Sequence, residues 1–107
     1  MKVTPPPPKN VGKKRKIVGI DGQAMTLRIE DEIVRPQRNA KFPKLIYFQK
    51  LRFEEDDRLE YRFTYYMLGQ KPGARGRWVF GQYSLMIPAA DLRELLIEAR
   101  LRGWEGV

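Results

Sequence analysis

The sequence predicts a small α+β domain that consists mostly of antiparallel sheet and ends in one helix. Residues 45–53 and 59–68 alternate apolar and polar side chains with the period of two that half-buried strands show. Residues 88–102 carry apolar residues at helical spacing, after Pro88 and before Gly103. Because Pro is favoured at the first turn of a helix and Gly just past its end, these two residues mark the bounds of the predicted helix.

The length and the charge distribution indicate one domain with a basic tail. A chain of 107 residues fits a single domain. Of the formal net charge of +8, residues 1–16 contribute +6, since they contain six basic residues and no acidic one. We interpret residues 1–15 as a disordered Pro/Lys-rich tail and residues 16–107 as a single α+β domain. The domain is only mildly basic, so the total charge overstates its attraction for nucleic acid.

The tail has two features of its own. Residues 5–8 are four consecutive prolines, which favour the polyproline II conformation and cannot join a sheet. Residues 13–16 are all basic, which fits a phosphate-binding arm or a nuclear localisation signal, and the alternative is a solvated tail without a partner. A second interpretation of the prolines is a ligand for a small domain with an aromatic groove.

A hairpin precedes the two main strands. Residues 16–20 and 24–29 favour strands and are separated by Asp21-Gly22, a pair that is typical of tight hairpin turns. Residues 36–43 begin and end with Pro and are predicted to be a connection. Residues 77–87 are predicted to form a long strand in which Gly81 marks a bulge or a bend.

The alternation also predicts how strands 45–53 and 59–68 pair. Matching one apolar face of each strand places Lys50 opposite Arg62. Like charges directly opposite each other are unfavourable, and an anion lying across them would remove that penalty. This pair is therefore a candidate phosphate contact, and the alternative is that both side chains extend into water. The same register pairs Leu51 with Tyr61, Phe53 with Leu59, and Arg52 with Glu60.

Cationic and aromatic residues are interleaved along residues 44–87, which include a cationic Gly-rich loop at 69–76. Cations bind a phosphate backbone and flat rings stack on unpaired bases, so a surface with both suits a single-stranded nucleic acid. The alternative is a half-buried sheet whose cationic residues lie on its wet face. The candidate nucleic-acid-binding residues are Lys50, Arg52, Arg62, Tyr66, Lys71, Arg75, Arg77, Trp78 and Phe80.

The predicted helix carries two apolar stripes. One stripe is enough to cover a sheet, so the second would be exposed in a monomer. We interpret the second stripe as a homodimer interface, and the alternative is that the tail or the first hairpin packs there. The first stripe is Leu92, Leu95, Leu96 and Ala99, and the second is Ile97, Leu101 and Trp104.

The composition argues against catalysis. The chain has no histidine and no cysteine, so the common general base, the common nucleophile and the usual zinc and copper ligands are missing. Residues 54–57 are four adjacent acids, which would serve a metal-dependent nuclease but are more typical of a solvated turn. We expect no enzymatic activity, no cofactor, no metal site and no small-molecule substrate.

The sequence also carries no recognisable membrane or export segment. No apolar run follows the charge at the start of the chain, and none approaches the roughly 18 residues of a membrane helix. We expect no membrane partner and a cytoplasmic location, with nucleoid association or a nuclear location as the alternatives.

About half of the chain, residues 48–102, resembles the positive cofactor four family of single-stranded DNA-binding transcriptional coactivators. The resemblance is carried by the strand residues 60–66 (EYRFTYY), the loop residues 71–76 (KPGARG) and the closing helix from Pro88. It implies a curved antiparallel sheet with one C-terminal helix, here preceded by a short N-terminal hairpin. It also implies a dimer through that helix, single strands bound across the sheet, and a role in transcription regulation. The positions that match the family best are Lys50, Arg52, Arg62, Lys71, Arg75, Arg77 and Trp78.

A protein-interaction or assembly module is the rival from another functional class. In that case the aromatic face of the sheet and the second helix stripe would bind protein. Salt distinguishes the two, because phosphate binding weakens steeply as the salt concentration rises and an apolar interface does not.

Overall fold

The chain folds into one curled five-stranded antiparallel sheet with a C-terminal helix, which confirms the predicted α+β class. The computed structural model describes residues 5–107. The strands lie in the sheet in their order along the chain. The elements are β1 (Lys14–Val18), β2 (Ala24–Pro36), β3 (Lys44–Phe53), β4 (Leu59–Leu68), β5 (Trp78–Phe80) and α1 (Ala89–Leu101).

The first hairpin forms where Asp21-Gly22 predicts it. Gly22 has a φ of 80°, which is the left-handed conformation that glycine adopts without steric cost. Its amide donates to the carbonyl of Gly19 at 2.9 Å, and the Asp21 carboxylate accepts from the amide of Gln23 at 3.0 Å. Strand β1 is exposed along its length, and its cationic residues 14–16 discourage pairing of this sheet edge with another chain.

Strand β2 is long and carries a bulge. Ile29 pairs with Leu51 and Asp31 pairs with Lys50, so Glu30 is the extra residue. A bulge bends its strand and increases the local twist, which is consistent with the curl of the sheet.

The predicted pairing of β3 with β4 is wrong by one residue. Lys50 lies opposite Tyr61, and Arg62 lies opposite Gln49, so Lys50 and Arg62 project from opposite faces of the sheet. The prediction assumed one apolar face, whereas residues 45–49 of β3 are all buried, so apolar residues occupy both faces. The remaining observed pairs are Leu51 with Glu60 and Arg52 with Leu59.

The connection between β3 and β4 is residues 54–58, as predicted. The amide of Phe53 donates to the carbonyl of Arg58 at 2.9 Å, so the backbone pairing continues past Leu59 and the turn itself is the four residues 54–57. Asp57 adopts a φ of 57°, a left-handed conformation that Asp tolerates better than most residues. The predicted pairing of Phe53 with Leu59 required a turn one residue longer, and this difference shifts the register by one and reverses which residues share a face.

Strand β5 is also shorter than predicted, because the chain leaves the sheet at Gly81. The amide of Gly81 donates to the carbonyl of Tyr65 at 2.8 Å, and its backbone lies directly against the Tyr65 ring. Beyond it, the amide of Tyr83 donates to the hydroxyl of Tyr65 at 3.1 Å. The predicted bend at Gly81 is therefore present, whereas residues 81–87 are not part of a strand.

The helix ends as the sequence predicts. Gly103 has a φ of 75°, and its amide donates to the carbonyl of Arg100 at 2.9 Å. The amide of Trp104 donates to the carbonyl of Ala99 at 3.0 Å. This pair of bonds is a Schellman motif, which satisfies carbonyls at the helix end and turns the chain back.

The helix covers one face of the sheet, which we call the helix-covered face. Leu95 and Ala99 of α1 are buried there against Ile33, Ile46 and Phe48. Trp104 completes this core at 4% exposure, and its indole N–H donates to the Asp31 carboxylate at 3.0 Å. Trp104 is thus buried by its own chain, which corrects its assignment to a dimer interface.

The opposite face holds a second, smaller core of Leu27, Ile29, Leu51 and Phe53. Residues from both edge strands, such as Arg15 of β1 and Phe80 of β5, line one cavity on this side. The two edge strands can line one cavity only if the sheet curls towards this side. We therefore call this side the concave face.

Residues 5–13 cross the concave face, in contrast to the disordered tail expected for residues 1–15. The carbonyl of Pro5 accepts from the indole N–H of Trp78 at 3.0 Å, and that of Pro8 accepts from the Tyr47 hydroxyl at 2.6 Å. Asn10 is buried and donates through its backbone and its side chain to the Glu32 carboxylate. The remainder of the predicted tail, residues 1–4, lies outside the described residues.

Across residues 5–107, no helix has both the length and the apolar character required to span a membrane.

Candidate nucleic-acid interface

The concave face contains a cavity of about 410 Å³ that combines cationic and aromatic side chains. All five strands contribute to it, together with Asn10 from the N-terminal segment. Its lining residues are Asn10, Arg15, Lys16, Ile17, Ile29, Gln49, Arg62, Tyr66 and Phe80.

Arg62 is a half-buried cation without an acidic partner. Its Nε and Nη2 atoms donate to the Gln49 side-chain oxygen at 3.0 and 2.7 Å. Within residues 5–107, no carboxylate oxygen lies within 4.0 Å of its guanidinium nitrogens. Gln49 is fully buried and donates in turn to Glu32 at 2.9 Å, so its amide lies between the two charges. The guanidinium therefore has a fixed orientation and a charge that no contacting acid neutralises.

The surroundings of Arg62 disfavour its positive charge. Burial lowers the pKa of the guanidinium, Tyr66 acts in the opposite direction, and the positive charge of Arg15 lowers the pKa further. Arginine stays protonated in proteins, so the cost appears as an unfavourable electrostatic energy rather than as loss of the proton. An anion placed between Arg15 and Arg62 would reduce that cost.

Aromatic rings adjoin these cations. The rings of Tyr66 and Phe80 meet edge to face, with centroids 5.4 Å apart, and the Tyr47 ring lies 4.9 Å from that of Tyr66. Phe80 is 47% exposed, so part of its ring is open to a ligand. Trp78 lies on the same face, but its N–H is bonded to Pro5.

The structure brings together four of the nine predicted binding residues. Arg62, Tyr66, Trp78 and Phe80 share the concave face, as the β4–β5 register requires. Lys50 and Arg52 project from the opposite face, so the predicted contact of one phosphate with both Lys50 and Arg62 is wrong. Arg52 is paired there with Glu30 at 3.3 Å.

The other three predicted residues belong to the connection between β4 and β5. Lys71, Arg75 and Arg77 are exposed there. The guanidinium of Arg77 donates to the carbonyl of Gly73, and a bridge joins Gly69 to Arg75, so the loop is folded on itself. These cations lie outside the lining of the concave cavity and would contact only a ligand that extends beyond it.

Arg15 and Gln49 line the cavity but were not among the predicted residues. Arg15 lies opposite Leu27 in β1, on the same face as Ile17. Counting back from a two-residue turn at Asp21-Gly22 pairs residue 15 with 28, whereas the amide of Gly19 donates to the carbonyl of Gln23 and leaves a three-residue turn at 20–22. No correct sequence signal therefore indicates the face on which Arg15 lies. Gln49 gives no signal either, since a glutamine between apolar residues is equally consistent with a solvent-facing position.

The acidic run at 54–57 serves the structure. Glu54 pairs with Lys14 at 2.8 Å, Glu55 accepts from the amide of Thr26 at 2.6 Å, and Asp56 pairs with Arg58 at 3.0 Å. In the part of the chain that the structure describes, no three acidic side chains are grouped so as to hold a metal ion.

The second apolar stripe of the helix is divided. Ile97 is 38% exposed and Leu101 is 78% exposed, whereas Trp104 belongs to the core. Residues 5–13 do not cover the exposed pair, because this part of the chain lies on the concave face.

Comparison with known proteins gives no relative: no family model, no curated protein and no solved structure matches this chain.

Proposed function

We propose that this protein binds single-stranded nucleic acid on its concave face, without catalysis. The observation that carries the proposal is the half-buried Arg62, which contacts no carboxylate of residues 5–107 and lies beside Arg15 and the rings of Tyr66 and Phe80. A phosphate would bring a negative charge next to both positive guanidinium groups, and an unpaired base would offer a flat surface on which the rings can stack.

The geometry favours a single strand over a duplex. The rings lie inside a cavity of the concave face, so a base must be unstacked and turned inward to reach them. In a duplex this would require unpairing, which costs a few kcal/mol, whereas a single strand exposes its bases already.

A salt titration with labelled single-stranded and duplex oligonucleotides of equal length tests the proposal. We expect tighter binding of the single strand and a logarithmic affinity that falls linearly with logarithmic salt concentration. Arg62→Gln should lower the affinity and reduce the slope by about 0.7, the change for one phosphate contact on a single strand. Arg28→Gln is the matched control, because it removes the same charge from the opposite face of the same sheet.

Stacking has a separate test. Phe80→Leu should weaken single-strand binding by on the order of 1–3 kcal/mol and leave the salt slope unchanged, because it removes a ring and no charge. Tyr83→Leu, at an exposed ring outside the cavity, should have no effect. Equal affinity for duplex and single strand, or equal losses in Arg62→Gln and Arg28→Gln, would refute the assignment to the concave face.

Two further parts of the proposal follow from the resemblance to the positive cofactor four family. They are a homodimer through the exposed helix residues Ile97 and Leu101 and a role in transcription regulation. A cytoplasmic location, with nucleoid association or a nuclear location as the alternatives, is proposed from the sequence pattern.

A protein-interaction module remains the second candidate, on one specific observation. Tyr83, Met86 and Leu101 are exposed at 83%, 82% and 78%, values that are high for large apolar side chains. A partner bound through them would dissociate little in high salt, so the same titration distinguishes the two functions.

A further inference from the structure

An acidic, a neutral and a basic side chain form one row across the concave face. Glu32 of β2 lies opposite Gln49 of β3, and Gln49 lies opposite Arg62 of β4. Neighbouring strands are about 4.8 Å apart, so the acid and the base are about 10 Å apart at the backbone. The sheet curls towards this side, which brings the ends of their side chains closer together. A direct ion pair over the top of Gln49 is therefore within reach of two such long side chains.

The fold keeps these two opposite charges apart. The Gln49 side chain accepts from Arg62 with its oxygen and donates to Glu32 with its nitrogen at 2.9 Å. Within residues 5–107, no cationic nitrogen lies within 4.0 Å of the Glu32 carboxylate. In this part of the chain both charges are thus hydrogen-bonded to neutral groups and not to each other, although opposite charges attract strongly in a partly buried site.

Asn10 of the N-terminal segment holds the Glu32 carboxylate. Its backbone N–H donates to Oε2 at 2.8 Å, and its side-chain nitrogen donates to Oε1 at 3.2 Å. Asn10 is buried at 3% exposure, and it lines the concave cavity, whereas Glu32 does not. Asn10 therefore separates the carboxylate from the cavity that contains Arg62.

Hydrogen bonds on both sides of Asn10 keep it in this position. Before it, the carbonyl of Pro8 accepts from the Tyr47 hydroxyl at 2.6 Å. After it, the amide of Gly12 donates to the carbonyl of Ile29 at 2.7 Å. These bonds fix the backbone at either side of Asn10, so its contact with the carboxylate is part of the fold.

We propose that Asn10 is a positioning residue, which keeps Arg62 open to an anion by restraining Glu32. The inference rests on the proposed nucleic-acid function, since it concerns the same cavity. Without the Asn10 side chain, the carboxylate loses a hydrogen bond and the group that separates it from the cavity. It then pairs with Arg62 or faces the cavity as a negative charge, and either arrangement opposes the binding of a phosphate. Docking of the N-terminal segment and binding of the anion therefore favour each other.

A double-mutant cycle in the full-length chain tests this proposal, with affinity for a labelled single-stranded oligonucleotide measured by fluorescence anisotropy at constant salt. Asn10→Ala should bind several-fold more weakly than the wild type. Glu32→Gln should bind at least as tightly as the wild type, because it removes the competing negative charge. The variant with both substitutions should bind as Glu32→Gln does. If Asn10 only stabilised the fold, its loss would weaken binding equally with and without Glu32, because independent effects add.

Two further variants of the N-terminal segment and its anchor complete the cycle. Val11→Ala is the matched control, because it shortens the neighbouring side chain to the same methyl group and Val11 is 55% exposed. It should bind as the wild type does. Tyr47→Phe removes the hydrogen bond to Pro8 and keeps the ring, so it loosens the segment without touching Glu32. It should weaken binding less than Asn10→Ala does, again only while Glu32 is present, and it decides the question if circular dichroism shows that Asn10→Ala is unfolded.

The NMR resonance of the Arg62 Nε–H group tests the inference without an oligonucleotide, and its absence from Arg62→Gln assigns it. Asn10→Ala should shift this resonance, whereas adding Asn10→Ala to Glu32→Gln should not. An unshifted resonance in Asn10→Ala would overturn the inference, and so would equal losses of affinity with and without Glu32. The carboxylate would then pair elsewhere, for instance with Lys13, whose ammonium lies 3.5 Å from the Asn10 side-chain oxygen. A wild type that binds no oligonucleotide would instead refute the proposed function and leave the resonance test in place.

Discussion

At the scale of single residues, Asp91 and Arg62 show how differently this fold treats two charges removed from water. The Asp91 carboxylate is fully buried in the first turn of α1 and accepts hydrogen bonds from two arginines. Arg35 Nε lies at 2.9 Å, Arg38 Nε at 3.1 Å, and the Arg38 amide at 2.8 Å. The fold therefore compensates the charge of Asp91, whereas among residues 5–107 the Arg62 guanidinium is hydrogen-bonded to the neutral amide of Gln49 and to no carboxylate. The contrast makes Arg62 the better candidate for a ligand contact.

We predict that Asp91→Asn lowers the free energy of unfolding at neutral pH by about 2 kcal/mol, the range for hydrogen bonds between charged groups. The variant keeps the shape of the side chain and removes the negative charge that both arginines contact. Arg35 and Arg38 are partly exposed and can hydrate, so the loss stays below that of a fully buried pair. Urea denaturation of variant and wild type at pH 7 measures it.

The same residue gives the stability a pH dependence. Burial raises the pKa of the Asp91 carboxyl, but the hydrogen bonds from the Arg38 amide and from the two guanidinium groups outweigh it, so the net pKa is lowered. A carboxyl with a lowered folded-state pKa stabilises the fold above its unfolded pKa of about 3.9, and this contribution is lost as the pH falls through the folded-state value. The difference between wild type and Asp91→Asn should thus shrink below pH 4. A difference that stays constant down to pH 2 would contradict the assignment.

At the scale of elements, the sequence predicts where strands, turns and the helix lie better than how they pair. Turn and cap residues act locally, which is why Asp21-Gly22 and Gly103 were enough to place a hairpin and a helix end. Register depends on which face each strand buries, and β3 buries residues on both faces, so matching one apolar face gave the wrong answer. Strand β5 ends early because of a contact with Tyr65, a residue about 15 positions away in the sequence.

The site was predictable to the same degree. The alternation of β4 placed Arg62 and Tyr66 on one face, and that holds. The contacts of Pro5 with Trp78 and of Asn10 with Glu32 join residues far apart in the sequence, and no local sequence pattern predicts such contacts. Lys50 and Arg52 were grouped with Arg62 through the wrong register and through the family resemblance, and neither shares a face with it.

We predict that Gly81→Ala destabilises the fold by about 1–3 kcal/mol, the usual cost of overpacking. A Cβ atom at this position would lie 2.1 Å from the Tyr65 ring, and Tyr65 is buried, so its ring has little room to move. Gly73→Ala is the control, because a Cβ there meets nothing within 4 Å and neither backbone has a positive φ. Urea denaturation of the two variants measures this: different midpoints with equal slopes of the unfolding free energy against urea concentration would show the difference in stability. Similar stabilities for the two variants would mean that the chain beyond β5 packs more loosely than described.

At the scale of the whole molecule, the chain uses the two faces of one sheet for different purposes. The helix and Trp104 close one face with an apolar core, and the N-terminal segment crosses the other without filling it. Arg102 ties the end of the helix to β2, since its guanidinium donates to the Asp31 carboxylate at 3.1 Å and to the Glu32 carbonyl at 3.0 Å. These bonds hold the helix in place, so the exposure of Ile97 and Leu101 is a fixed feature of the surface.

That surface leads to the prediction of a homodimer at tens of micromolar. Ile97 and Leu101 line a groove between α1 and β2, together with Ile33 and Leu95. Covering Ile97 and Leu101 with a second copy removes apolar surface from water, at roughly 25 cal/mol per Å². The double variant Ile97→Glu with Leu101→Lys should be monomeric and folded, because both side chains are exposed in the single chain.

Molar mass from light scattering measures the association, with circular dichroism as the control for folding. Gln82→Glu with Ser84→Lys is the matched variant, because it also introduces one acid and one base at exposed positions without changing the net charge, and both positions lie outside the groove that Ile97 and Leu101 line. It should remain dimeric. A wild type that is monomeric at tens of micromolar would refute the interface, and loss of the dimer in both double variants would place the contact elsewhere. Unfolding of the first variant would instead show that Ile97 and Leu101 contribute to the core, despite their exposure.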